Sequence, residues 1–269
     1  MRTARTSLIV AVLLGLSGVS WAREYEPDDG TEGHVPAVAY EMFVLPPGET
    51  IDPATIRADL DYTAGMRRHH EGAVTMSRGY LEDPRGTNPI LRELAHAIIA
   101  NQRFEIAVLD DIRRRVEKEP ETIADFGLAR IVRREIGFDG LEHQWQFVKR
   151  QPPGFLDLAL APGLEVSERD VKFSKEMMIH HQAALDMARS YNADPKATNL
   201  IIRLLNLDII VDQTYEIDFL ERMVERFPGN TDMVEIDSSI AGMMHMPMDG
   251  GHESMEGMDQ GTRHEWMGH

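Results

Sequence analysis

Apolar residues return at helical spacing in four long stretches, and the stretches come in two pairs. They run from Ile56 to Tyr80 and from about Ile90 to Glu117, with the break EDPRGTNP between them. They recur from Ser167 to Tyr191 and from about Leu200 to Arg226, separated by NADPKATN and closed by FPGN. Each pair predicts a helical hairpin. The two hairpins are copies at an offset of 111 residues: Asp59 falls on Asp170, Met66 on Met177, His69 and His70 on His180 and His181, Met76 on Met187 and Tyr80 on Tyr191. In the second helices Ile98, Gln102, Glu105 and Leu109 fall on Ile209, Gln213, Glu216 and Leu220. Each hairpin presents one apolar stripe, and two such stripes are buried most simply face to face, so the expected fold is all-α: a four-helix bundle of two duplicated hairpins.

The flanks lack this periodicity. Residues 1–22 carry Arg2 and Arg5, an apolar run from Leu8 to Leu16, and small residues at Ser20 and Ala22, the order of a secretory leader. Residues 23–55, rich in Pro, Gly and acid, predict an extended arm, poorly ordered or draped on the domain. The hairpins are expected over 56–117 and 167–227. Between them, 118–166 holds short helical patterns such as IADFGLARIVRREI and predicts a partly helical crossover, with Trp145 and Phe147 in a satellite cluster and His143 as a surface or packing histidine, not a ligand. Residues 228–269 predict a flexible tail.

The stripe facing the core is not purely apolar. A rotation of about 100° per residue puts His69, His70, Ala73 and Met76 at about −60°, +40°, −20° and −80° from Met66, so both histidines face inward. Gln102 and Glu105 share the inner stripe of the next helix, and Gln213 and Glu216 repeat it. Unpaired polar groups are costly in such an interior. Two readings stand side by side: a buried hydrogen-bond network that fixes the register of the hairpins, or a metal site built from His69, His70, His180, His181, Glu105 and Glu216, with Met66, Met76, Met177 and Met187 at hand for a soft ion. Methionine also fills cores, and these four serve packing in the simpler reading.

Composition narrows the partners. The formal charge is −17, and loss of Arg2 and Arg5 with the leader makes it more negative, which disfavours nucleic acid and anionic lipid. The apolar run of the leader is far shorter than the ~20 residues of a membrane span, so no membrane insertion is expected once it is removed. There is no cysteine, so a metal must be held by His, Met or carboxylate. From Gly242 the chain reads GMMHMPMDGGHESMEGMDQGTRHEWMGH, which holds seven of the sixteen methionines and four of the eleven histidines. Met243, Met244, Met246, Met248, Met255, Met258 and Met267 cannot be core filler in so polar a segment. Together with His245, His252, His264 and His269 they predict copper: thioether sulfur suits Cu(I), and imidazole takes Cu(I) or Cu(II). Zinc and nickel could also use the histidines but would gain little from the thioethers, and zinc or iron is the lesser expectation beside copper.

The pattern MxxHHxxAxxM at Met66–Met76 and Met177–Met187, each followed by IIxxQxxE, resembles the bacterial secreted "domain of unknown function 305" family of the ferritin-like superfamily, here in two tandem copies. The resemblance implies a helical bundle, export from the cytoplasm and a functional role for the four histidines, and some of its members look like periplasmic copper-binding proteins. Ferritin-like di-iron sites use Glu with ExxH pairs, whereas here the spacing is QxxE with adjacent histidines on other helices. The expectation is therefore a periplasmic or secreted copper-binding protein, not an enzyme, that sequesters copper or passes it to a delivery partner. The alternatives are a ferritin-like metal oxidase and an envelope interaction protein with structural histidine pairs.

Overall fold

Each long helix starts where a short polar side chain caps it. Asp52 accepts from the Ala54 amide ahead of Pro53, whose fixed φ suits the first helical turn. Asn88 accepts from the amides of Ile90 and Leu91, and its repeat counterpart Asn199 does the same for Ile201 and Ile202. Ser167 and Asp170 form a reciprocal capping box. The computed structural model describes residues 37–139, 149–159, 163–238 and 240. Within them the order is β1 (Ala37–Leu45), α1 (Pro53–Glu82), α2 (Pro89–Val116), β2 (Glu121–Asp125), β3 (Arg130–Asp139), α3 (Phe155–Ala159), α4 (Glu168–Ala193) and α5 (Leu200–Glu225). A single 3-10 turn follows at Thr231–Met233. The leader, Trp145, Phe147, His143 and the Met/His tail lie outside the described residues.

The chain is mainly helical. α1 packs on α2 and α4 on α5, and the hairpins meet through α1 against α4 and, more thinly, α2 against α5. The Tyr191 hydroxyl, near the end of α4, donates to Asp59 near the start of α1 at 2.6 Å. The Tyr80 hydroxyl, near the end of α1, donates to Asp170 at the start of α4, also at 2.6 Å. Start meets end twice, so α1 and α4 run antiparallel, and the two ties are exchanged by the repeat offset. They define a pseudo-twofold axis through the middle of both helices.

The apolar core obeys the same symmetry. One cluster gathers Met66, Leu109, Ala184, Tyr191, Ile202 and Ile209. Another gathers Met177, Leu220, Ala73, Tyr80, Leu91 and Ile98, the counterparts of those six residues. The axis exchanges the clusters.

Two expectations need correction. The fold is not all-α, because a three-stranded antiparallel sheet of order β1-β3-β2 packs on α2 and the start of α5. The segment IADFGLARIVRREI, expected to be helical, instead spans much of β2, the turn at Phe126–Ala129 and β3. Part of the arm, Ala37–Leu45, is the edge strand β1, with Val44 opposite Ile131 and Tyr40 opposite Glu135. The alternation of these strands is masked by charge. Val132, Arg134 and Ile136 point inward along β3, and Glu41 points inward from β1. Arg134 donates to Glu41 at 2.9 Å and to Asp59 of α1 at 2.8 Å, a buried triad that fastens the sheet to the helices. A Cβ on Gly137 would stand 2.9 Å from the Ile201 side chain, so β3 lies directly against α5.

Candidate functional site

Adjacent residues on a helix diverge by about 100°, so the two histidines of a pair cannot face the same neighbour. One of each pair faces the opposite hairpin. His69 and His180, equivalent positions in the repeats, meet on the pseudo-twofold axis with ring centroids 3.7 Å apart and planes tilted by 41°. The other turns to its own hairpin partner. His70 Nε2 lies 2.7 Å from Glu105 Oε2 of α2, and His181 Nε2 lies 2.7 Å from Glu216 Oε2 of α5. Gly72 makes room for this arrangement, since a Cβ there would come within 2.8 Å of His180 Nε2.

These groups form a polar layer between the two apolar clusters. His70 and His181 are fully buried, and Glu105, Glu216, Gln102 and Gln213 are each at most 3% exposed. Despite that burial much of the layer has no hydrogen-bond partner. Both ring nitrogens of His69, Nδ1 of His70, His180 and His181, Oε1 of Gln102 and both amide atoms of Gln213 are unpartnered. The exceptions are Nε2 of His70 and of His181, each held 2.7 Å from a glutamate oxygen.

Electrostatics keeps the central rings neutral. Burial, and then the neighbouring His70 and His181, push the His69 pKa down to about 3. Burial, followed by His69, holds His180 well below the usual histidine range. Burial raises the Glu216 carboxyl, while the His181 contact opposes the rise. A neutral imidazole keeps a lone pair free for a metal ion.

The sequence-predicted site residues therefore separate into groups. The four histidines, Glu105 and Glu216 share one layer. Met66 and Met177 are wholly buried in the two apolar clusters, and Met187 and Met76 are half-buried against those same clusters, which is a packing role. Met243, Met244, His245, Met246, Met248, His252, Met255, Met258, His264, Met267 and His269 fall outside the described residues. Among the described residues no three His, Asp or Glu side chains are grouped so as to hold a metal ion.

Sequence reasoning missed three features of the contact between the hairpins and its surroundings. Tyr62 donates to Asn206 across the hairpins. The Asp–Tyr ties join residues that the repeat had already matched, but matching positions does not reveal which of them cross-pair. Lys149 places its ammonium 4.0 Å from Glu105 Oε1, 3.1 Å from Asp212 and 5.5 Å from the centre of the Phe104 ring. It comes from the unrepeated segment, where no periodic signal marks it.

No curated protein matches the chain. The crystal structure of a DUF305 fragment from Deinococcus radiodurans is similar at 19% identity, over 66% of this chain and 100% of that one, with a TM-score of 0.35. The model of the family described as "Domain of unknown function (DUF305)" matches residues 54–127 and 170–267. With more than half of its length matched, and matched once in each repeat, the chain belongs to the DUF305 family.

Proposed function

We propose that this protein binds copper outside the cytoplasm, capturing it with the Met/His tail and holding it in the histidine layer, for sequestration or for transfer to a partner protein. The four long helices are then a ferritin-like bundle, with its site between hairpins. The observation that carries the reading is the set of unpartnered imidazole and amide atoms gathered in one buried layer. Buried polar groups are ordinarily hydrogen-bonded, and leaving one unsatisfied costs about 1–3 kcal/mol. An ion that drew these side chains together would satisfy several at once.

The residues fit such an ion in kind. His69 and His180 would supply neutral nitrogen from opposite hairpins. His70 and His181 would supply more, with Glu105 and Glu216 orienting their rings as carboxylates commonly do behind ligating histidines. A bound copper ion supplies Lewis acidity and a one-electron couple. The protein's own part is to exclude water, keep the imidazoles deprotonated and tie the two hairpins together. The tail's thioethers favour Cu(I) over zinc, nickel or iron.

The short His70–Glu105 and His181–Glu216 contacts favour a second reading, in which the pairs are struts completed by buried water. Copper stoichiometry against a competing chelator separates the two. The full chain should bind more copper than either the H69Q/H180Q variant or a chain ending at Ala241, with each change removing a different share. Equal stoichiometry in the parent and the H69Q/H180Q variant makes the histidines struts, and equal stoichiometry without the tail removes the tail from the function.

A further inference from the structure

Asn101 and Asp212 are equivalent positions in the repeats, yet both line one cavity of about 290 Å3. A cavity bordered by a residue and its own counterpart straddles the pseudo-twofold axis, here between α2 and α5, where the hairpins touch most thinly. The same axis passes through the His69–His180 contact. Glu216 joins the two places, since it lines the cavity and stands 2.7 Å from His181. A water molecule claims roughly 30 Å3 of liquid, so the cavity has room for several waters or for a partly hydrated cation.

A cation already sits there. Lys149 lines the cavity, with its ammonium 3.1 Å from Asp212 and 4.0 Å from Glu105. Its backbone neighbourhood is fastened to both hairpins. Asn101 accepts from the Arg150 amide at 2.7 Å and donates to the Arg150 carbonyl at 3.1 Å, and the Tyr215 hydroxyl donates to the Pro153 carbonyl at 2.8 Å. Burial works to lower the Lys149 pKa, but the charges of Glu105 and Asp212 outweigh it and raise the value, so the ammonium stays charged. Beyond these carboxylates the Gln213 amide is buried and unpartnered. The cleft thus attracts positive charge and leads to groups that lack partners.

We propose that the cleft between α2 and α5 is the entrance to the histidine layer, and that Lys149 fills it in the metal-free protein as a tethered cation which an incoming metal cation displaces. The displacement by metal rests on the copper reading above, while the route itself does not. A lysine is well suited to this place, because its single charge sits on a flexible stem and can swing aside without breaking the backbone contacts at Arg150 and Pro153.

Access can be read without metal, through the rate at which diethylpyrocarbonate modifies each histidine of the full chain, mapped by peptide mass spectrometry. Exposed His96 serves as the internal reference. In K149M the modification of His181 and His70 should rise several-fold, with His96 unchanged. In V211W, which adds bulk at an exposed lining position, it should fall several-fold. Equal rates in all three proteins, or no modification of the layer in any of them, overturns the entrance. A rise in K149M without a fall in V211W reports general loosening and overturns it too. Copper added before the reagent tests the other half. Protection of the layer histidines that sets in faster in K149M than in the parent supports displacement, and equal onset overturns it. Absence of protection, with the metal-free rates as expected, keeps the entrance and defeats the copper reading.

Discussion

His69 and His180 meet ring to ring because each is the member of its pair that faces the opposite hairpin while the other ring is turned toward Glu105 or Glu216, and this has a consequence in acid. In the unfolded chain a histidine takes up its proton near pH 6.5, but His69 in the fold resists protonation down to about 3. Between those values the unfolded chain binds more protons, so stability falls as the pH drops, by up to about 1.4 kcal/mol per pH unit for each such ring. His180, shifted the same way, adds to the loss. Glu216, with its raised pKa, acts in the opposite sense, because the folded chain protonates it first. The expected net result for metal-free protein is a melting temperature that declines steadily from pH 6.5 toward 4 and declines less in H69Q/H180Q. A flat profile in the parent chain would mean that the rings are solvated. The inward placement of all four histidines was legible from helical spacing. Their division into a central stack and two His–Glu contacts was not, because that depends on which neighbour each ring meets.

The four long helices were legible element by element, since each apolar stripe repeats over many turns. The sheet was not. Only β2 is short, but the two inward charges, Glu41 and Arg134, interrupt the alternation that would have revealed the longer strands. Those charges make sense only as a triad with Asp59, whose position on α1 no local pattern connects to β3. Burial raises the Asp59 carboxyl, while Arg134 pulls it back. Removing the arginine alone therefore strands two carboxylates in a dry place. R134M should destabilise the chain by about 3–5 kcal/mol, the usual cost of breaking a buried ion pair from one side. The triple change E41M/D59N/R134M should recover a large part of the loss, because no unpaired charge remains. Thermal melts of the two variants decide between this account and a merely steric role. A triple variant no more stable than R134M would defeat it.

At the scale of the whole molecule the duplication was plain, and the axis it implies organises the core, the histidine layer and the cleft. The copies are not identical, and their differences are paired. Tyr62 of α1 donates to Asn206 of α5, whereas the equivalent meeting of α4 with α2 brings Phe173 and Ala95 into one apolar cluster. A polar pair on one side of the axis has thus been traded for an apolar pair on the other. Residues 37–139 contain one complete hairpin with its sheet, and two such halves can reproduce the axis as a real twofold. Asp59 of each would meet Tyr80 of its partner, and His69 would meet His69. Tyr62, however, would face Ala95 in place of Asn206, leaving two buried hydroxyls unpartnered at about 1–3 kcal/mol each. The isolated half should therefore form only a weak homodimer, and Y62F, which restores the Phe–Ala pairing of the other side, should strengthen it. In the full chain the same substitution should destabilise, because Asn206 then loses its donor. Sedimentation equilibrium of the half, with and without Y62F, and melting of the full chain with Y62F test both signs. A half that stays monomeric in both forms, or a Y62F effect of the same sign in both settings, would show that the hairpins are held together by something other than this exchange of paired residues.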